Sequence, residues 1–263
     1  MKKEKIRISF LITHYNRPLD LLECLEGIKK MNISNYEIVV SDDGSDEENR
    51  KLIHEYKIDK LILAKKNQGL AANINKGIES CEGEYIIYCQ EDFILDSKIS
   101  TILPECLELL DSQKADMIRF TANYKFNKLI NLSENVFLIP KFSIRNFLLN
   151  YYQYSDHPFL TKKIFYNKYG SYLENTSGRY GETEFAIRIF KSNAKIAITK
   201  SSLATSVVGS ESVLINESIL KSKDYKINKP LIKIARAFRL YLEWFLYRKS
   251  KRGLKTYRNF REN

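Results

Sequence analysis

Apolar residues in the N-terminal part of the chain concentrate in short strand-length runs, the first followed by a stretch with the spacing of an amphipathic helix. Residues 6–12, 36–40, 60–63 and 85–89 are such runs, and residues 19–28 carry the first helical pattern. Strand-length apolar segments alternating with helical patterns predict buried strands of a parallel sheet flanked by helices. Three strand–helix units before the fourth run predict a half-sheet with right-handed crossovers. Beyond it, the pattern predicts a helix over 97–110 running through Pro104, a strand over 115–121, and irregular chain mixing aromatic and basic residues over 123–150. A short strand ending at Leu160 then leads to a helix over 162–169, a helix carrying Phe185, Ile189 and Phe190, and a last strand over 194–199. Residues 201–218 are polar and are expected to form a loop over a ligand. The chain closes with a second helical period in its tail.

The predicted strands all end in polar chemistry, and open α/β sheets bind ligands at that edge. After the first strand comes Thr13-His14-Tyr15-Asn16-Arg17-Pro18, which has no glycine-rich phosphate turn. A dinucleotide-dependent dehydrogenase is thereby disfavoured. Thr13, Asn16 and Arg17 could grip a nucleotide, or form an ordinary polar loop. After the second strand, Asp42 and Asp43 can accept from a base imide or a ribose hydroxyl, while Asp46 fits an N-cap. The fourth strand runs into Gln90-Glu91-Asp92. Two readings are open there: a cap on the next helix, or hard oxygen ligands for a divalent cation that holds a diphosphate. Further on, His157 stands before a proline, and Glu182 and Glu184 lie in the first turn of a helix. Acids there suit the helix dipole as well as chemistry.

Charge changes the picture of the tail. Residues 221–263 hold 14 Lys+Arg against 3 Asp+Glu, which is the whole net charge of +11 and leaves the first 220 residues neutral. The period places Lys233, Arg236, Arg239, Leu240, Glu243 and Tyr247 on one face, and Leu231, Ile234, Phe238, Leu242, Trp244 and Phe245 on the rest. Trp and Tyr beside cations suit a bilayer interface, so a membrane surface is the expected partner and nucleic acid is not. The four cysteines show no metal-binding or CxxC spacing and are expected to be buried free thiols. With no apolar leader at the start, the expected location is cytoplasmic, peripheral on the inner face of the cell membrane.

In order and spacing, Thr13-His14-Tyr15-Asn16-Arg17-Pro18, Ser41-Asp42-Asp43-Gly44-Ser45, the segment from Asn67-Gln68-Gly69 through Asn75-Lys76-Gly77, and the acid-ended strand resemble the family 2 glycosyltransferases. The resemblance covers residues 6 to about 96. It implies a GT-A-type fold, meaning a Rossmann-like, mostly parallel sheet flanked by helices, to which the period and charge of the tail add a C-terminal amphipathic helical appendage. The implied domains are 1–220 for the transferase and 221–263 for the tail. It also implies an inverting transfer from a nucleotide-diphospho-sugar donor to a saccharide or lipid-linked acceptor, with Mg²⁺ or Mn²⁺. On this resemblance Thr13, Asn16, Arg17, Asp42, Asp43, Asn67, Gly69, Asn75, Gln90 and Glu91 bind the nucleotide-sugar, and Asp92 binds the metal. Gln90 stands where the first acid of the family's Asp-x-Asp is usual. Glu182 matches the catalytic base, with Glu184 and His157 in support. Two other classes compete: a sugar-1-phosphate nucleotidyltransferase, which would carry a glycine-rich loop after the first strand, and a nonenzymatic module binding membrane or nucleic acid through the tail.

Overall fold

Alternate residues of the central strands face two separate cores, one on each side of the sheet. In β1 (Ile8–His14), Ile8, Phe10 and Ile12 enter one core and Leu11 the other; in β4 (Tyr85–Gln90), Tyr85, Ile87 and Cys89 enter the first and Ile86 and Tyr88 the second. Both faces being apolar is what forces helices onto both sides. The computed structural model describes residues 7–176, 178–207 and 229–247, with backbone at 251–252 and 255–256.

The helix α1 (Pro18–Lys29) starts at Pro18, whose fixed φ suits a first turn, and buries Leu21, Cys24, Leu25 and Ile28 along one face. Next come β2 (Tyr36–Asp42), α2 (Glu47–His54), β3 (Lys60–Leu63) and α3 (Leu70–Ser80). Asp46 caps α2 by accepting from the Asn49 backbone N–H at 2.9 Å. After β4 follow β5 (Phe93–Leu95), α4 (Ile99–Asp111) and β6 (Met117–Arg119). α4 stays helical through Pro104. The hairpin strands β7 (Ile130–Asn131) and β8 (Val136–Leu138) lie in the segment read as irregular. Each has at most three residues, too short for a period to show. The remaining elements are β9 (Phe159–Lys162), α5 (Ile164–Tyr169), α6 (Gly178–Lys191), β10 (Ile196–Thr199), β11 (Ala204–Ser206) and α7 (Lys229–Phe245).

The main sheet has the order β3-β2-β1-β4-β9-β6-β10-β8-β7. Its β3-β2-β1-β4 half is parallel throughout, β9 runs antiparallel between β4 and β6, and β8 is antiparallel to β10. This is the mostly parallel, helix-flanked sheet expected from the sequence. β5 and β11 form a separate antiparallel pair, so the start of the loop expected over 201–218 is strand; residues 208–218 lie outside the described ones. All four cysteines are buried and free.

The face assignment of the tail changes. Ala237, Leu240 and Glu243 are buried, and Tyr241, Trp244 and Tyr247 pack on Tyr151, Ile187 and Phe190 of the body. The Tyr241 hydroxyl donates to the Phe147 carbonyl at 2.8 Å and accepts from Asn150 at 2.9 Å. These aromatic sockets set the inward face, which the helical period alone did not distinguish. Truncation before Lys221 is therefore expected to destabilise the body by about 3 kcal/mol or more, from the lost burial of several large side chains. Thermal denaturation should show a melting temperature lower by roughly 6–12 °C; an unchanged melting temperature would mean that α7 contributes nothing to the body.

Candidate functional site

The ends of three parallel strands form one row. Thr13 stands opposite both Ser41 and Gln90, and His14 opposite Asp42. Thr13 and His14 are strand residues, and the ladder continues past the strands: the Asp43 N–H donates to the His14 carbonyl at 2.9 Å, and the Glu91 N–H to the Thr13 carbonyl at 3.1 Å. The polar residues after β1, β2 and β4 are thus held side by side.

Within this row Asp42 is a framing residue. It is 1 % exposed and accepts from His14 Nδ1 at 2.8 Å, from the Ser45 hydroxyl, and from the Gly44 and Ser45 backbone N–H groups at 3.1 and 3.0 Å. Burial alone would raise its carboxyl, but the hydrogen bonds from His14 and Ser45 outweigh it and hold the group below the usual carboxylate range. Asp43 accepts the Gln68 and Gly69 N–H groups, both at 2.7 Å, and so pins the turn before α3. That turn needs glycine twice. Gly69 has φ +93°, and a Cβ on Gly44, at φ +81°, would collide with the Lys66–Asn67 backbone. Asn67 sits beside Gly44 in this close approach. Asn16, at φ 54°, donates its N–H to Ser45 and accepts from the Asp46 N–H at 2.9 Å, locking the first loop to the second. Thr13 is buried, 3.2 Å from the Tyr88 hydroxyl. Asn75 lies apart from the row, bonding the backbone of Tyr172 and the Glu174 carboxylate.

Glu91 and Asp92 carry the charge of this edge. Burial pushes Glu91 up to about 8, aided by the nearby Asp92 charge, although the Tyr15 N–H donates to it at 3.3 Å. Asp92 is raised by burial as well, against the pull of Arg17, whose Nη1 lies 3.7 Å from Oδ2. Asp92 Oδ1 is buried without a hydrogen-bond partner among the described residues. An orphaned carboxylate oxygen beside a second acid fits a divalent cation. No group of three or more potential ligating side chains occurs among the described residues, so other ligands would come from substrate oxygens and water, the usual arrangement for Mg²⁺ with a diphosphate.

A second acidic centre faces this edge. Glu182 on α6 accepts from the Asp156 N–H at 3.3 Å, and the Asp156 carbonyl accepts from Gln90 Nε2 at 3.4 Å. One residue thus joins the end of β4 to Glu182. An acid at position 90 has no donor for that carbonyl, whereas the Gln amide does. Burial raises Glu182, while the Asp156 N–H and Arg119 pull it back. The buried Asp156 side chain is pushed well above the usual carboxylate range by burial and by the Glu182 charge, and accepts from Tyr154 at 2.7 Å and Tyr172 at 3.0 Å. Both carboxyls are thus held above their ordinary range by burial.

Arg119 holds the segment in place. Its buried guanidinium donates to the carbonyls of Tyr152 and Gln153 at 2.6 and 2.9 Å and to the Ser155 hydroxyl at 2.7 Å, and burial pulls its pKa down to about 10. Burial takes the neighbouring His157 down to about 4, so its ring is neutral; it contacts Ser155 at 3.1 Å, Asn123 at 3.3 Å and the edge of Phe93. Glu184 points elsewhere. It is 1 % exposed, paired with both Nε and Nη2 of Arg188, and accepts the Tyr247 hydroxyl at 2.6 Å, which ties α6 to the tail.

Sequence reasoning missed His14, Arg119 and Asp156. Arg119 left a signal, being a lone cation inside an apolar strand, where burial requires partners. Asp156 left none, since Tyr154 and Tyr172 meet it only in the fold.

The family described as glycosyl transferase family 2 matches residues 9–176. The chain is 32% identical over 106 residues to glycosyltransferase GlyG of Streptococcus pneumoniae, covering 38% of this chain and 35% of that one. It is 26% identical over 158 residues to chondroitin synthase of Escherichia coli, covering 54% and 22%. In both cases it spans a minor share of the relative's length. Among solved structures it resembles S. aureus TarS 1-349 in complex with UDP-GlcNAc, with TM-score 0.57 and 15% identity over 91% of this chain and 72% of that one. That likeness confirms the GT-A-type fold. With the family match extending over more than half its length, from β1 past β9, the chain belongs to glycosyl transferase family 2.

Proposed function

We propose that the protein is an inverting, metal-dependent glycosyltransferase, moving a sugar from a nucleotide-diphosphate donor to an acceptor hydroxyl in the assembly of a cell-surface polysaccharide or glycolipid. The observation that carries this reading is the junction at Asp156, which sets the acidic end of β4 and the half-buried Glu182 on either side of one residue. The family match and the relatives' description as glycosyltransferases support the reaction class. TarS, of the same fold, binds UDP-GlcNAc, in keeping with a nucleotide-sugar donor.

In this reading the row from Thr13, Asn16 and Arg17 through Asp42, Asp43, Asn67 and Gly69 shapes the nucleotide-facing edge, and Asn75 steadies it from behind. Asp92, with Glu91, would hold Mg²⁺ or Mn²⁺, which when bound offsets the charge developing on the departing diphosphate. Glu182, in its ionised form, takes the proton of the acceptor hydroxyl as that oxygen attacks the anomeric carbon. The bond to the diphosphate oxygen breaks, its electron pair leaves with the nucleotide, and attack from the opposite face inverts the centre. His157, neutral and fixed by Asn123 and Ser155, positions the cleft wall, and Glu184 supports the base by anchoring α6.

The sign of the pH dependence follows. Glu182 acts ionised, and its pKa is raised, so activity is lost as pH falls through a value above the ordinary glutamate range near 4.3. A kcat/KM profile should show its acid limb displaced upward; a limb at or below the ordinary range would contradict the assignment.

We assign residues 1–220 to the transferase unit and 221–263 to the tail. No helix among the described residues is long and apolar enough to cross a membrane. The outer face of α7 presents Leu231, Ile234, Phe238, Leu242 and Phe245, the last 76 % exposed, beside Lys233 and Arg239. That face suits peripheral contact with the cytoplasmic surface of an anionic membrane. Sedimentation with anionic vesicles, lost in Phe238→Ser/Phe245→Ser, tests it; equal pelleting of the variant would count against it. The donor screen that closes the Discussion tests the reaction itself.

A further inference from the structure

A cavity of about 600 Å³ opens between residues 123–127, the segment 144–152 and α7, outside the row of strand ends. Four cations line it: Lys125, Arg145, Lys233 and Arg236. No acid does. None of the four takes part in an ion pair among the described residues. Four like charges around one cavity raise the local positive potential, which a bound polyanion would neutralise. Two of them are arginines, whose planar forks match phosphate oxygens.

The cavity adjoins the proposed reaction centre. Asn123, on its lining, bonds His157 at 3.3 Å. Tyr124 and Tyr152, also on its lining, pack tilted at 36° with ring centroids 4.7 Å apart, and the Tyr152 carbonyl is held by Arg119 beside Asp156. Sugar rings pack well on such faces. On its outer side the lining includes Ile144, 83 % exposed, and Leu148, close to the apolar outer face of α7. The lining thus combines aromatic rings, cations and exposed aliphatic chains.

We propose that this cavity binds a phosphate or diphosphate group on the acceptor, one sugar away from the hydroxyl that is glycosylated. The inference rests on the glycosyltransferase reading above and narrows its acceptor to a phosphate-linked saccharide. The cations engage the phosphate oxygens, Tyr124 and Tyr152 face the sugar, and the aliphatic rim receives a lipid chain where the phosphate carries one.

The test is direct binding by calorimetry in metal-free buffer with EDTA, where a diphosphate at the Glu91–Asp92 edge lacks its cation. Two probes are used: inorganic pyrophosphate and farnesyl diphosphate. The triple variant Lys125→Gln/Arg145→Gln/Arg236→Gln changes exposed or half-buried side chains only. It is expected to bind pyrophosphate at least tenfold more weakly than the wild type, and the wild-type affinity should fall steeply with salt. The variant Glu91→Gln/Asp92→Asn should bind it within about twofold of wild type. The reverse pattern, or no binding of either probe by the wild type, overturns the proposal. Farnesyl diphosphate binding at least tenfold tighter than pyrophosphate marks a lipid-linked acceptor; equal affinities mark a water-soluble phosphate-bearing one, and both support the site. Donor hydrolysis by the wild type, measured in parallel with Mn²⁺, reports on the glycosyltransferase reading by itself. Its failure leaves the phosphate result interpretable.

Discussion

Glu182→Gln is expected to lower kcat/KM for sugar transfer by about 10²–10⁴-fold, the usual contribution of a positioned general base. That corresponds to roughly 3–5 kcal/mol of lost transition-state stabilisation. The substitution isolates chemistry from structure because the Gln side-chain oxygen can still accept the Asp156 N–H. It removes only the charge that takes the proton, from a site where burial already disfavours that charge. Stability should therefore stay the same or rise slightly, and donor affinity should be unchanged. A variant with full transfer activity would rule out the base assignment. A variant that lost donor binding along with transfer would instead make Glu182 part of the donor site.

Asp92→Asn should produce the second largest effect, a fall of about 10²–10³-fold in transfer at limiting Mn²⁺, partly recovered as the metal concentration is raised. Asn matches the carboxylate in size but cannot supply anionic oxygens, and Asp92 Oδ1 has no hydrogen-bond partner among the described residues that would explain its burial. Glu91 beside it should shift as well. With the Asp92 charge removed, one cause of its raised pKa is gone, so Glu91 ionises at lower pH. If metal titrations of the variant and the wild type coincide, Asp92 is not a ligand.

Much of this was legible in the sequence because parallel strands advertise themselves. Strand-length apolar segments located β1 to β4, and the polar residues after each fell at the ligand edge because all four strands point the same way. Asp92 could be singled out because an acid directly after an apolar strand is visible locally; Glu182 was expected in a helix's first turn, but α6 begins at Gly178 and its first turn carries no acid. Contacts between distant segments were not visible. The commitment of Asp42 to His14 and Ser45, and of Asp43 to the turn before α3, appears only when the loops come together. The sequence pointed to Gln90 as a departure from the usual acid. Its bond to the Asp156 carbonyl shows what an amide at that position does. Helical period alone left the inward face of α7 open, since a helix with aromatic and aliphatic residues on most of its surface can pack on either side, and Tyr151 and Phe190 decided which.

The most direct test of the central claim is donor turnover by the wild-type protein. The protein would be incubated with a panel of nucleotide-diphospho-sugars, Mn²⁺ and candidate acceptors, and release of nucleoside diphosphate followed with the Glu182→Gln variant alongside. The account predicts that at least one donor is consumed, that an acceptor accelerates its consumption, and that the acceleration disappears in the variant and on chelation of the metal. If every donor remains intact with and without acceptor and metal, the protein is not the glycosyltransferase its site describes.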